Sequence, residues 1–84
     1  MRRFIDVHHD GAKGLTPEQA AAIHARDLAV QDKHGVCFLK YWFDPVTGKV
    51  FCLSEAPNQE AVHAVHREAH GIAADEIFEV FEGD

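Results

Sequence analysis

The chain has 84 residues and a mass of 9.4 kDa, 46% hydrophobic and 26% charged, which is enough for a single domain (residues 1–84) with a small core. Eight basic and 14 acidic side chains give a formal net charge of −6 without a basic stripe, so nucleic acid and anionic membranes are poor partners. The sequence has no apolar run that could span a bilayer and no secretory signal pattern, so we expect a cytoplasmic protein.

Histidine is the residue type that stands out, with seven of 84 positions. A small domain collects so many imidazoles either by drift on a solvated surface or because they bind something. The two cysteines, Cys37 and Cys52, are too far apart for a CxxC motif. We therefore expect reduced thiols, with Cys37 and Cys52 both as small core side chains.

The hydrophobic pattern predicts six elements in the order β-α-β-β-α-β. Thr16 and Gln19 are spaced as a capping box that begins the first helix, and Asn58 is a suitable N-cap for the second. Gly35 and Gly71 stand where the two helices are expected to stop. The predicted strands are residues 3–9, 36–43, 49–54 and 76–82, and the predicted helices are residues 17 to 33 or 34 and 59–70.

This order of elements is that of a ferredoxin-like α+β sandwich, in which an antiparallel four-stranded sheet carries both helices on one face. The opposite face of the sheet is then bare. Because residues 36–43 (VCFLKYWF) are apolar on both faces of their strand, something outside this chain must cover the bare face. We expect a homodimer that joins through the sheet face, as in dimeric α+β barrels.

Polar residues interrupt the apolar stripe of the first helix. His24 and Asp27 lie three positions apart within it. Either they hydrogen-bond each other at the edge of the core, or they point into a pocket together with Asp6 and His8, which share one face of the first strand. In the second case, two elements supply imidazole and carboxylate ligands for a divalent transition metal.

The second helix carries a row of histidines, His63, His66 and His70, beside its apolar stripe. Such a row is also where amphipathic side chains sit with their tips in water, which is the interpretation we favour for His63. His66 lies nearest the core, and for His66 and His70 a ligand role is an equal alternative. The candidate metal ligands are therefore Asp6, His8, His24, Asp27, His66 and His70.

Five segments spread over nearly the whole chain carry a resemblance to a known family. They are residues 4–9 (FIDVHH), 14–16 (GLT), 24–29 (HARDLA), 48–57 (GKVFCLSEAP) and 65–71 (VHREAHG). Together and in this order they resemble a family of small bacterial proteins whose characterised actinobacterial member is a nickel-binding ferredoxin-like protein. The resemblance implies a homodimer with facing sheets and a metal bound through histidine and acidic side chains, and the six candidates stand at matching positions.

Two classes of function follow. The first is binding of nickel(II), or another divalent transition metal, for sequestration or homeostasis; the preference for nickel rests on the resemblance, and binding should weaken below about pH 6.5. The alternative is a cofactor-independent monooxygenase or isomerase of the dimeric α+β barrel type, with His24 and Asp27 as an acid–base pair. Converging imidazoles and carboxylates favour the metal, and a dry pocket lined by Phe and Trp favours the enzyme. A third hypothesis, a haem site with one axial histidine, has no specific support in the sequence.

Overall fold

The computed structural model describes residues 1–83 and has the predicted order of elements. The strands are β1 (Arg2–His8), β2 (Cys37–Phe43), β3 (Val50–Ala56) and β4 (Glu76–Val80), and the helices are α1 (Pro17–Val30) and α2 (Gln59–Ala69). The sheet order is β2-β3-β1-β4, and each neighbouring pair of strands is antiparallel. The ferredoxin-like α+β fold predicted from the sequence is therefore confirmed.

Both helices begin at the predicted caps. The Thr16 hydroxyl accepts from the Gln19 amide at 3.2 Å, and the Gln19 side chain accepts from the Thr16 amide at 2.9 Å, which completes the capping box. Asn58 accepts from the Ala61 amide at 2.9 Å at the start of α2. These bonds satisfy amides that have no partner within the helix.

The first helix is shorter than predicted, because its last turn tightens. It ends at Val30, and a 3₁₀ turn (Gln31–His34) continues to Gly35, whose φ of +71° needs the conformational freedom of glycine. The amide of Phe38 donates to the side-chain oxygen of Gln31 at 2.9 Å, which ties this turn to the start of β2.

Strand register decides which polar side chains meet beneath the helices. Asp6 on β1 pairs with Cys52 on β3, and Cys52 pairs in turn with Tyr41 on β2, beyond a register shift between Phe38 and Lys40. Side chains alternate between the two faces along a strand, and directly paired residues of neighbouring strands point to the same face. These three residues therefore share the face that the helices cover. The buried cluster on this face consists of Phe4, Val36, Phe38, Cys52, Ala56, Val62 and Val65.

The middle of the other face of the sheet is apolar and points away from both helices. Val7 pairs with Phe51, and Ile5 lies between Leu53 and Phe78. Trp42 is 50% exposed and Phe78 is 52% exposed. We call this the outer sheet face, defined by Ile5, Val7, Trp42, Phe51, Leu53 and Phe78. Among residues 1–83, no helix is both long and apolar enough to cross a membrane.

Candidate metal centre

His66 lies at the centre of a buried polar cluster and is only 1% exposed. It projects from α2 between a strand and a helix. Its Nε2 lies 3.0 Å from Oδ1 of Asp6 on β1, and its Nδ1 lies 2.9 Å from Oδ1 of Asp27 on α1. Because carboxylate oxygens only accept, both ring nitrogens must donate, and His66 is an imidazolium.

The charges of this cluster support that assignment. Burial alone would lower the pKa of His66, but hydrogen bonds to Asp27 and Asp6 outweigh it and raise the pKa to about 9. Burial would raise the pKa of Asp6, but hydrogen bonds with His66 and His8 outweigh it and hold the pKa below its ordinary value. At neutral pH, the cluster therefore holds a protonated imidazole between two carboxylates.

Two further histidines flank the cluster. Nε2 of His70 lies 3.0 Å from the same Asp27 oxygen that His66 approaches. Nε2 of His8 lies 2.9 Å from Oδ1 of Asp6, and its Nδ1 lies 3.2 Å from the carbonyl oxygen of Ala73. Burial lowers the pKa of His70 despite the nearby Asp27, so His70 is neutral at pH 7.

The cluster contains two sets of ligand atoms that each lie within 4.8 Å of one another. The helix triad is Asp27, His66 and His70, and the buried tetrad is Asp6, His8, Cys52 and His66. Imidazole and carboxylate suit nickel, zinc, copper and iron, so the donor chemistry fits a divalent transition-metal ion. Since both sets need His66, they compete for the same imidazole.

One detail favours the helix triad as the better site. Burial raises the pKa of the Cys52 thiol far above its ordinary value, and a protonated thiol is a poor metal ligand. Oδ2 of Asp6 is buried and has no hydrogen-bond partner among the described residues, so the tetrad still has one free acceptor atom. A carboxylate that holds the far nitrogen of a ligating histidine is the usual arrangement around protein-bound metals.

The helix triad opens onto a cavity of about 50 Å³ between the helices and the sheet. Asp27, His66 and His70 all line it, whereas Asp6 does not. The cavity thus gives access to the triad from one side, and the orienting carboxylate closes the other.

The structure brings five of the six sequence-predicted residues into one contiguous cluster: Asp6, His8, Asp27, His66 and His70. The sixth, His24, lies on the cavity wall with its ring centroid 4.3 Å from that of Tyr41. Asp27 points its Oδ1 at α2, so the hypothesised hydrogen bond between His24 and Asp27 is absent from the bonds of residues 1–83. Burial lowers the pKa of His24.

Sequence reasoning missed two participants. Cys52 was interpreted as a small core side chain, and it is buried, but its pairing with Asp6 also places it within the tetrad. Its alternation with Ser54 indicated the face it occupies but not its neighbour across the strands. The carbonyl of Ala73 follows α2 in a loop, where no sequence signal marks it as a partner of His8. Both cysteines are free thiols, but Cys37 is exposed, so the prediction that it is a core side chain is wrong.

Fold and cluster together define a small ferredoxin-like domain with a buried histidine–carboxylate centre. Residues 4–80 match the SCO4226-like family, described as nickel responsive protein SCO4226-like, and the chain belongs to this family. The crystal structure of SCO4226 from Streptomyces coelicolor A3(2) superimposes with a TM-score of 0.90 at 45% sequence identity, covering 98% of this chain and 99% of that one. The resemblance found in the sequence is thereby confirmed. No curated protein matches the chain.

Proposed function

We propose that this protein binds a divalent transition-metal ion, nickel(II) first of all, through the helix triad of Asp27, His66 and His70. The observation that carries the proposal is the convergence of three ligand atoms from two helices on the wall of one cavity. The family's description as nickel responsive supports nickel among the metals that this donor set suits. A bound divalent ion supplies positive charge beside two buried carboxylates, and the proposed role is metal sequestration or homeostasis.

The remaining predicted residues have supporting places in this proposal. Asp6 holds Nε2 of His66, and His8 in turn lies against Asp6. His24 lines the cavity without reaching the triad's carboxylate. We therefore expect replacement of His8 or His24 by Ala to weaken metal binding less than replacement of a triad member.

The metal hypothesis is better supported than the enzyme alternative. An acid–base pair of His24 and Asp27 needs the two side chains to meet, whereas Asp27 approaches His66 and His70. The cavity is lined by Tyr41 and Phe43 but also by four histidines, so it is not the dry aromatic pocket expected of such an enzyme.

Calorimetric titration of tag-free protein with Ni(II) tests the proposal. We expect Asp27→Asn and His70→Ala to lose more affinity than the roughly 10- to 100-fold typical of losing an orienting residue. His63→Ala is the matched control, since His63 lies on the same helix outside both ligand sets. Equal binding by the wild type and Asp27→Asn would rule out the triad.

We also propose that the chain forms a homodimer through the outer sheet face, in the cytoplasm as expected from its sequence. A contiguous apolar patch of this kind on a small domain is typical of an interface between proteins. Trp42 and Phe78 leave half of their surface exposed at its two sides. A second copy would bring an equal patch, since a two-fold interface pairs a surface with itself.

Size-exclusion chromatography with light scattering tests the dimer. Phe51→Asp places a charge in the middle of the outer sheet face and should yield monomers, because a buried unpaired charge is costly. Val46→Asp, at a position 81% exposed in the β2–β3 turn, should leave the dimer intact. A wild-type protein that is monomeric at micromolar concentration contradicts the proposal.

A further inference from the structure

The helix triad supplies only three protein atoms to an ion. Metal sites with three protein ligands keep at least one position for water or an outside molecule, whereas closed structural sites use four. Two histidines and one carboxylate with open positions is a recurrent arrangement of this type. Since all three triad residues line the cavity, any outside molecule must reach the ion through that space.

The size and chemistry of the cavity limit what can occupy it. A water needs roughly 10–15 Å³ of such volume, so about 50 Å³ accommodates a molecule of roughly three to five non-hydrogen atoms. Beyond the histidines, the walls are largely apolar, with Leu15, Ile23, Phe43 and Ile72 among them. Neither lysine nor arginine is among the lining residues that the structure describes.

The charges around the cavity select against anions. Two buried carboxylates, those of Asp6 and Asp27, already offer their negative charges to one divalent ion. An anionic molecule would then place an uncompensated charge against apolar walls, which is unfavourable. A neutral donor molecule avoids this cost.

One wall of the cavity carries a side chain that is able to form a further hydrogen bond. The rings of His24 and Tyr41 lie 4.3 Å apart with 32° between their planes, and both line the cavity. None of the hydrogen bonds among residues 1–83 uses His24, whereas both ring nitrogens of His66 are engaged. His24 therefore has hydrogen-bonding capacity to offer to an occupant of the cavity.

We propose that the cavity binds a small, uncharged donor molecule beside the metal ion, with His24 and the apolar walls selecting it over anions of similar size. This inference rests on the proposed metal binding and adds a second ligand class to the same site. The metal is then taken up together with a small organic molecule rather than with water alone.

The test uses imidazole and acetate as probes on nickel-loaded protein. Nickel binding is first established by calorimetry, and each probe is then titrated while the visible absorption of the bound nickel is followed. We expect imidazole to change the spectrum in a saturable manner and acetate to change it little. Nickel must stay with the protein after desalting, since loss of nickel to imidazole contradicts the proposal.

Two variants test whether the cavity is the site. Ile23→Trp fills it, and we expect the half-saturating imidazole concentration of the nickel-loaded variant to rise about tenfold or more. Leu28→Trp is the matched control on α1, because Leu28 is 43% exposed and does not line the cavity. Ala20→Leu is a smaller filling change if Ile23→Trp folds poorly.

The outcomes separate the two proposals. Nickel binding without any response to imidazole, or an equal response in Ile23→Trp and Leu28→Trp, overturns the inference and leaves metal binding standing. A response to acetate as strong as that to imidazole overturns the selectivity. Absence of nickel binding in the wild type overturns both.

Discussion

His66 places a positive charge between two buried carboxylates, where the proposed metal ion would otherwise supply it. As an imidazolium it sits between Asp6 and Asp27 and compensates carboxylates that would otherwise be buried unpaired. An ion bound by the helix triad needs Nδ1 of His66 and must displace the proton there. At this residue, proton and metal therefore compete for the same atom.

The raised pKa of His66 predicts an unusual pH dependence. Because the pKa is about 9, His66 remains protonated throughout the neutral range, and we expect the apparent nickel affinity to rise about tenfold per pH unit up to that value. This moves the weakening expected from ordinary histidines near pH 6.5 to higher pH. Calorimetry at neutral pH in buffers of different ionisation enthalpy should show about one proton released per ion; a count near zero contradicts the assignment.

The raised pKa of His66 has the opposite effect on the stability of the metal-free fold, which falls as the pH rises. The folded pKa of His66 lies above its unfolded value of about 6.5, so its contribution to the free energy of unfolding is fully present below that pH. It is lost as the pH rises through about 9. High pH thus favours the metal-bound form and weakens the metal-free one.

A variant of Asp6 tests whether this carboxylate orients His66 or is itself a metal ligand. Asp6→Asn keeps an oxygen near Nε2 of His66 but removes the charge, and we expect nickel affinity to fall about 10- to 100-fold. Asp27→Asn removes a proposed ligand and should cost more. Titration calorimetry of both variants ranks them, and an equal loss would place Asp6 among the ligands rather than behind them.

At the scale of elements, the sequence predicts which residues share a face of one strand or helix. It does not predict which strands and helices bring those residues together. The spacing of His66 and His70 places both on one face of α2, and strand alternation places Asp6 with His8. The contact of Asp27 with α2 depends on how the two helices pack, and no periodicity within one helix encodes it. For the same reason, the sequence left open whether Asp27 bonds to His24 or points into a pocket with Asp6 and His8.

A change at the N-cap of α2 tests the stability of this helix separately from metal binding at the proposed site. Asn58→Ala removes the bond to the Ala61 amide and should lower the free energy of unfolding by about 1 kcal/mol. Gln59→Ala, at an exposed position of the first turn, is the control. Urea unfolding measures the difference. We expect nickel affinity to change little in either variant, because the ligands lie at least one turn further along α2.

At the scale of the molecule, the fold was predictable because local signals agree with one another. Caps at Thr16 and Asn58, the stop at Gly35 and the alternation in β1 all indicate the same arrangement. The predicted strands and helices differ from the observed ones mainly at their ends. Whether a second copy covers the outer sheet face stays a prediction, since it concerns a partner surface.

Metal binding should stabilise the whole domain. A ligand that binds only the folded chain adds about 2.7 kcal/mol at a concentration 100 times its Kd, which corresponds to a rise in Tm of roughly 10–20 °C for a domain of this size. Thermal unfolding with nickel, and again after a chelator, measures the shift. Asp27→Asn should show little of it, and a full shift in that variant would locate the ion elsewhere.

The position of the cavity has a consequence for the rate of exchange. Because the helix triad lines the cavity and Asp6 lies behind it, we expect a bound ion to enter and leave through the cavity. With three protein ligands and an open position, the expected exchange is limited by ligand substitution at the metal and not by unfolding. The proposed site would then follow changes in the supply of free metal, whereas a closed four-ligand centre holds its ion until the fold opens.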